Sequence, residues 1–138
     1  MGRILALDYG KKRTGIAVTD PLKMIATGLE TIETEKLFDF LKEYAIKEPL
    51  EKIIIGNPVN LDGSPTDATP SVHHCIRRLK NTFPTVPIVS VDERYSSKMA
   101  SKAMLEMGMK KKDRREKSNI DLIAATMLLQ DYLGNNIL

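Results

Sequence analysis

Cysteine is all but missing from this chain: Cys75 is the one example in 138 residues. A lone thiol excludes an intramolecular disulfide and suits a reducing compartment. Aromatic side chains make up only 5%, which leaves few platforms for a ligand held by stacking of successive bases. Histidine is confined to two neighbours, His73 and His74. Successive residues of a helix face different ways, so these read as surface residues and not as metal ligands. Long hydrophobic runs are absent too, none approaching the ~18 residues of a membrane-spanning helix. Met1-Gly2-Arg3 leads directly into strand-like sequence with no secretory leader. The expectation is a cytoplasmic protein without a membrane partner. There is no internal repeat, low-complexity tract or linker, and 138 residues suit one domain, 1–138, long enough to bury a real core.

What is present is ordinary in amount and uneven in placement. Hydrophobic residues at 42% and charged residues at 28% fit a folded globular protein, and the net charge of +3 is modest. The cations gather in three places: Lys11, Lys12 and Arg13; Arg77, Arg78 and Lys80; and the block KKKDRREK, Lys110 to Lys117, which lacks any apolar residue and reads as a solvated loop. Basic patches of this kind suit a polyanion. Solubilising surface charge is the plainer alternative for any one of them.

The periodicity gives an element order. Arg3 to Tyr9 reads as a strand, and Thr14 to Thr19 as a second, joined by a Gly/Lys turn too short for anything but an antiparallel hairpin. Met24 to Ile32 makes a third. Thr34 is a plausible N-cap for a helix with the stripe Leu37, Phe38, Leu41, Tyr44 and Ala45. Lys52 to Asn57 is a short apolar strand of the kind found in the middle of a sheet. Thr69 can cap a second helix with Pro70 at its first position, and Val72, Ile76, Leu79 and Phe83 line one face. Pro87 to Val91 is another buried strand. A helix over about 96–108 and a last one over Ser118 to Leu133 complete the order βββαβαβαα. That pattern is an α/β fold with a mixed five-stranded sheet, its first three strands antiparallel and helices on both faces. It brings the ends of the strands at Tyr9, Gly56 and Asp92 to one edge, where open α/β sheets bind ligands.

Acids stand where acids are unexpected. Asp8 closes the first strand, Asp92 and Glu93 follow the buried strand IVSV, and Asp121 projects with Ala125, Leu128 and Tyr132 from the last helix. Each has a local alternative: a turn former at Asp8, an exposed strand end at Asp92-Glu93, a capping box of Ser118 with Asp121. Converging on one edge, however, they need compensation. Two like charges about 4 Å apart repel by on the order of 4 kcal/mol at an effective dielectric near 20. A domain's whole stability is only ~5–15 kcal/mol. Such a cluster must be protonated, bridged by Arg or Lys, or bound to a cation, and all-oxygen ligation favours Mg²⁺ or Mn²⁺.

Four segments, LALDYGKKRTGIAVTD, IIIGNPVNLDGS, VDERYSS and IDLIAATMLLQDYL, resemble in order the signature segments of the bacterial YqgF-type family. Its members are described as candidate pre-16S ribosomal RNA nucleases or Holliday-junction-resolvase-like proteins. The resemblance runs essentially end to end. It implies a ribonuclease H-like fold, and it implies that Asp8, Glu93 and Asp121 are an acidic triad holding divalent metal. Two departures stand out: Tyr95, Ser96 and Ser97 follow Asp92-Glu93-Arg94 where the family often has Leu and Ser-Thr, and the loop after Gly63 lacks a usual arginine.

The chemistry expected from these residues is metal-assisted hydrolysis of a phosphodiester. Two Mg²⁺ or Mn²⁺ ions about 3.5–4 Å apart would clamp the scissile phosphate, with Asp8 bridging them and Glu93 and Asp121 completing one site each. Lys12, Arg13 and Arg94 would meet phosphate oxygens, while Gly10 and Gly15 would let backbone approach the substrate. The loop from Asn57 to Ser64 would flank the groove, and Lys110, Lys111, Lys112, Arg114 and Arg115 would grip nucleic-acid backbone. The partner would be a ribosomal RNA precursor or branched DNA, and the protein a monomer or weak homodimer. Two other readings stay open: an actin-like nucleotide-binding domain, which shares the opening Asp-x-Gly hairpin, and a nucleic-acid-binding module without catalysis.

Overall fold

The computed structural model of the protein describes residues 2–57, 69–92 and 117–136. Strands β1 (Arg3–Tyr9), β2 (Arg13–Thr19) and β3 (Ala26–Glu33) follow one another, then a single 3-10 turn (Thr34–Lys36) and helix α1 (Leu37–Lys47). After them come β4 (Leu50–Asn57), α2 (Thr69–Thr82), β5 (Ile88–Asp92) and α3 (Lys117–Asn136). The five strands form one sheet in the order β3-β2-β1-β4-β5. β1 pairs antiparallel with β2 and β2 with β3, whereas β1–β4 and β4–β5 are parallel. This is the mixed sheet that the run pattern predicts. The expected helix over 96–108 lies outside the described residues.

Strand alternation sends side chains to two separate cores. Leu5, Leu7, Ile16, Val18, Ile53 and Ile55 pack against Leu37, Phe38 and Leu41 of α1 and Val72, Cys75 and Leu79 of α2. On the other face Ile4, Ala6, Ala17 and Ile54 meet Ala125, Leu128, Leu129 and Leu133 of α3. Helices therefore cover both faces, as expected. β4 contributes Ile53, Ile54 and Ile55, all fully buried, which is why the central run IIIG carries no alternation. Among the described residues, no helix is long and apolar enough to cross a membrane.

Two local expectations change. The third strand starts at Ala26 and not at Met24, because the Asp20 carboxylate accepts the backbone N–H groups of Met24 (2.8 Å) and Ile25 (2.9 Å) and keeps them in the turn. Those two bonds hold the Asp20 carboxyl below its usual pKa. Lys23 in the same turn has a φ of 59°. Thr34, expected as an N-cap, makes no capping bond; its hydroxyl turns back to the β1–β2 turn, as described below.

Candidate functional site

The parallel registers set the ends of β1, β4 and β5 side by side: Leu7 lies opposite Ile55, and Asn57 opposite Asp92. The expected edge is present. Asp8 stands one residue from the end of β1 and shares, by alternation, the face of Ile4 and Ala6 that α3 covers.

Asp121 arrives at the same place through a glycine. Asp8 pairs across the hairpin with Gly15, and a side chain at Gly15 would run into the backbone carbonyl of Asp121. The second turn of α3 is thus seated directly on β2, beside Asp8. Gly15 was expected to admit substrate; what its missing Cβ admits is the helix that carries the second acid. Further along, Gly28 faces Leu122 and Thr126 in the same way, with 3.0 Å between a built Cβ and their side chains. α3 begins at Lys117, and the Asp121 carboxylate meets Arg13, with Oδ2 3.5 Å from the Arg13 Nε; the side chain of Ser118, its expected capping-box partner, lies outside the described residues.

Arg13 opens β2 opposite Glu33 of β3. Together with Lys11, Lys12, Glu33 and Glu35 it lines an open hollow of about 510 Å³. Lys12 and Arg13 therefore do lie beside the acidic edge, but two glutamates share their hollow and temper its charge. The turn that presents these cations is stitched from behind. The Thr34 hydroxyl donates to the Gly10 carbonyl (2.5 Å) and lies 2.9 Å from the Thr14 hydroxyl, while Thr34 N donates to the Lys12 carbonyl (3.0 Å). Sequence reasoning missed this role of Thr34. The only signal for it was a Thr at the corner where β3 ends, and that signal equally fits a cap.

Asn57 occupies the end of β4, and its Oδ1 is buried without a hydrogen-bond partner. A buried acceptor with nothing to accept costs about 1–3 kcal/mol. In the cluster of Arg77, Arg78 and Lys80 one cation is spent differently: the Arg78 guanidinium lies 3.9 Å from the centroid of the Phe38 ring, between α1 and α2. His73 and His74 are exposed, as expected. Glu93, Arg94, Lys110, Lys111, Lys112, Arg114, Arg115 and the loop beyond Asn57 lie outside the described residues.

For a divalent cation, the described residues supply two of the three expected donors. No group of three His, Cys, Asp or Glu side chains gathers among them. Asp8 and Asp121 meet at one residue, Gly15, and both offer carboxylate oxygen, the donor that Mg²⁺ and Mn²⁺ prefer. The residues present fit such an ion as far as they go.

Residues 2–135 match the family model described as RuvX, Holliday junction resolvase. A protein of Flavobacterium psychrophilum named "Putative pre-16S rRNA nuclease" is 48% identical over 137 residues, 99% of this chain and 100% of that one. Among solved structures, Thermus thermophilus RuvC in complex with a Holliday junction substrate aligns with a TM-score of 0.59 at 14% identity, covering 99% of this chain and 96% of that one. The fowlpox virus Holliday junction resolvase aligns equally well, at 0.59 and 14%, over 99% of both chains. At such identities the likeness concerns the fold, which is ribonuclease H-like.

Proposed function

Since the chain belongs to the RuvX Holliday junction resolvase family, we propose that it is a nuclease that hydrolyses phosphodiester bonds in the 5′ maturation of 16S ribosomal RNA precursor. The observation that carries the reading is the convergence of Asp8 and Asp121 on Gly15 beneath a basic turn. Acids at a sheet edge next to presented cations suit a phosphodiester, because the acids can hold metal and the cations can hold phosphate. The choice of ribosomal RNA follows the name carried by a relative of nearly half-identical sequence and full length. Resolution of branched DNA is the second reading, favoured by the family's own description. The cytoplasm is the compartment in which either substrate would be met.

In this mechanism Asp8, Glu93 and Asp121 hold Mg²⁺ or Mn²⁺. The ion, when bound, supplies Lewis acidity for activating water and for the charge that develops on the leaving oxygen. The protein's own residues do the rest. Lys12 and Arg13 orient the phosphate from the hollow at the β1–β2 turn, and Thr34 holds that turn in place through the carbonyls of Gly10 and Lys12. Asn57 borders the strand ends, next to the loop that would flank the substrate groove. Arg94 and the basic block containing Lys110, Lys111, Lys112, Arg114 and Arg115 add grip on the backbone, whose salt dependence would report the number of phosphates contacted.

The test is to incubate the purified protein with ribosomal RNA precursor and with four-way DNA junctions, with and without Mn²⁺, beside Asp8→Asn and Asp121→Asn. Cleavage of the precursor that needs Mn²⁺ and falls at least about a hundredfold in both variants is expected. Junction cleavage alone would favour the second reading, and salt-dependent binding without cleavage of either would leave a binding module. Asp121→Asn removes both a repulsion with Asp8 and a partly exposed ion pair with Arg13, so its metal-free stability should stay within about 1 kcal/mol of wild type.

A further inference from the structure

The Asp121 carboxylate already has a cation beside it. Arg13 Nε lies 3.5 Å from Asp121 Oδ2, yet that nitrogen is buried and donates no hydrogen bond. The attraction is electrostatic, and at this nitrogen it lacks the aligned N–H···O contact that makes arginine–carboxylate forks strong. Backbone holds both ends of the pair. Arg13 is registered against Glu33 at the start of β2, and Asp121 is seated on Gly15. The side chain of Arg13 is the part left to move. It is 37% exposed and borders the hollow lined by Lys11, Lys12, Glu33 and Glu35, so leaving Asp121 takes it into an open space of mixed charge.

We propose that Arg13 is the resident counter-cation of Asp121, which the divalent ion displaces and hands over to a phosphate of the substrate. The proposal rests on the metal-dependent nuclease reading. A guanidinium and a doubly charged ion at one carboxylate oxygen repel each other, so binding of either weakens the other. Once displaced, the guanidinium presents its planar fork of donors, which matches phosphate geometry. The coupling is reciprocal: a phosphate that draws Arg13 away from Asp121 strengthens the hold on metal by the factor with which metal strengthens the hold on phosphate. Loading the site and gripping the substrate then pass through one side chain.

Titration of the purified full-length protein with Mn²⁺, read by the spin-resonance signal of unbound ion, tests this without reference to cleavage. Arg13→Gln is expected to bind Mn²⁺ about two- to fivefold more tightly than wild type, the upper part of the range for a partly exposed ion pair. Lys11→Gln removes the same unit of charge from the same hollow but does not face Asp121, and should change affinity by less than about twofold. In an Asp121→Asn background, Arg13→Gln should give no tightening, which localises the effect to this pair. Should Arg13→Gln fail to fold, Arg13→Lys withdraws Nε while keeping the charge, and about twofold tightening is expected of it. Equal affinity in wild type and the Arg13 variants, or equal tightening in the Lys11 variant, overturns the exchange and leaves the metal site standing. No Mn²⁺ binding by wild type overturns the exchange together with the metal-dependent reading.

Discussion

The two faces of the sheet are packed by opposite means. Toward α1 and α2 the strands present large aliphatics, with Leu5, Leu7, Ile16, Ile53 and Ile55 fully buried against Leu37, Leu41, Val72 and Leu79. Toward α3 they present Ala6, Gly15, Ala17 and Gly28 beside Ile4 and Ile54, and the helix answers with the buried pair Ala124 and Ala125 ahead of Leu128, Leu129 and Leu133. Large side chains hold a helix off at the distance their volume requires. Small ones draw it down until backbone meets backbone. The first arrangement buries large side chains, which adds stability; the second gives up side-chain volume for placement, because a helix seated on β2 brings Asp121 toward Asp8.

The comparison is broken most severely at Gly15. Gly15→Ala sets a methyl group against the Asp121 carbonyl, and backbone cannot swing aside as a side chain can. A loss of about 3 kcal/mol, or roughly 10 °C in melting temperature, is expected, together with loss of the Mn²⁺-induced upshift in melting and of cleavage. A variant that melts and cleaves like wild type would mean that the small-residue face places nothing. The converse change is Leu79→Ala on the other face. That side chain is fully buried, so about 2–5 kcal/mol should be lost, measured by urea unfolding, with cleavage per folded molecule and the Mn²⁺ upshift both kept.

Cys75 sharpens the contrast with the smallest effect. Burial among α2 neighbours pushes its thiol from 9.0 up to about 12. The folded state therefore favours the protonated thiol. Its contribution to stability is fully present below pH 9 and is lost as pH rises toward about 12. At pH 8, reaction with Ellman's reagent should be at least about a hundredfold slower than in the unfolded chain. Gly15→Ala should leave most of that protection if the faces act separately, whereas Leu79→Ala should erode it.

The features legible from sequence were those set by short-range pattern. The strand IIIG, the helix stripe of Leu37, Phe38 and Leu41, and the alignment of Asp121 with Ala125 and Leu128 all follow from periods of 2 or 3.6 residues. Once the topology was inferred from connection lengths, the shared edge of β1, β4 and β5 came with it. What escaped depends on who competes for a group across long separations. Thr34 could cap α1, but a carbonyl 24 residues earlier takes its hydroxyl. The pairing of Arg13 with Asp121 escaped as well, because its partner comes from the far end of the chain. Gly15 announced a close approach correctly; composition alone could not say whether a ligand or a helix would make it.

The bonds from Thr34 reach carbonyl oxygens of Gly10 and Lys12, not their side chains. Shape and charge at the β1–β2 turn are consequently separate properties of this molecule. Lys11 and Lys12 can be exchanged for neutral or acidic residues on an unchanged scaffold, so that ligand preference becomes adjustable without redesign of the loop that displays it.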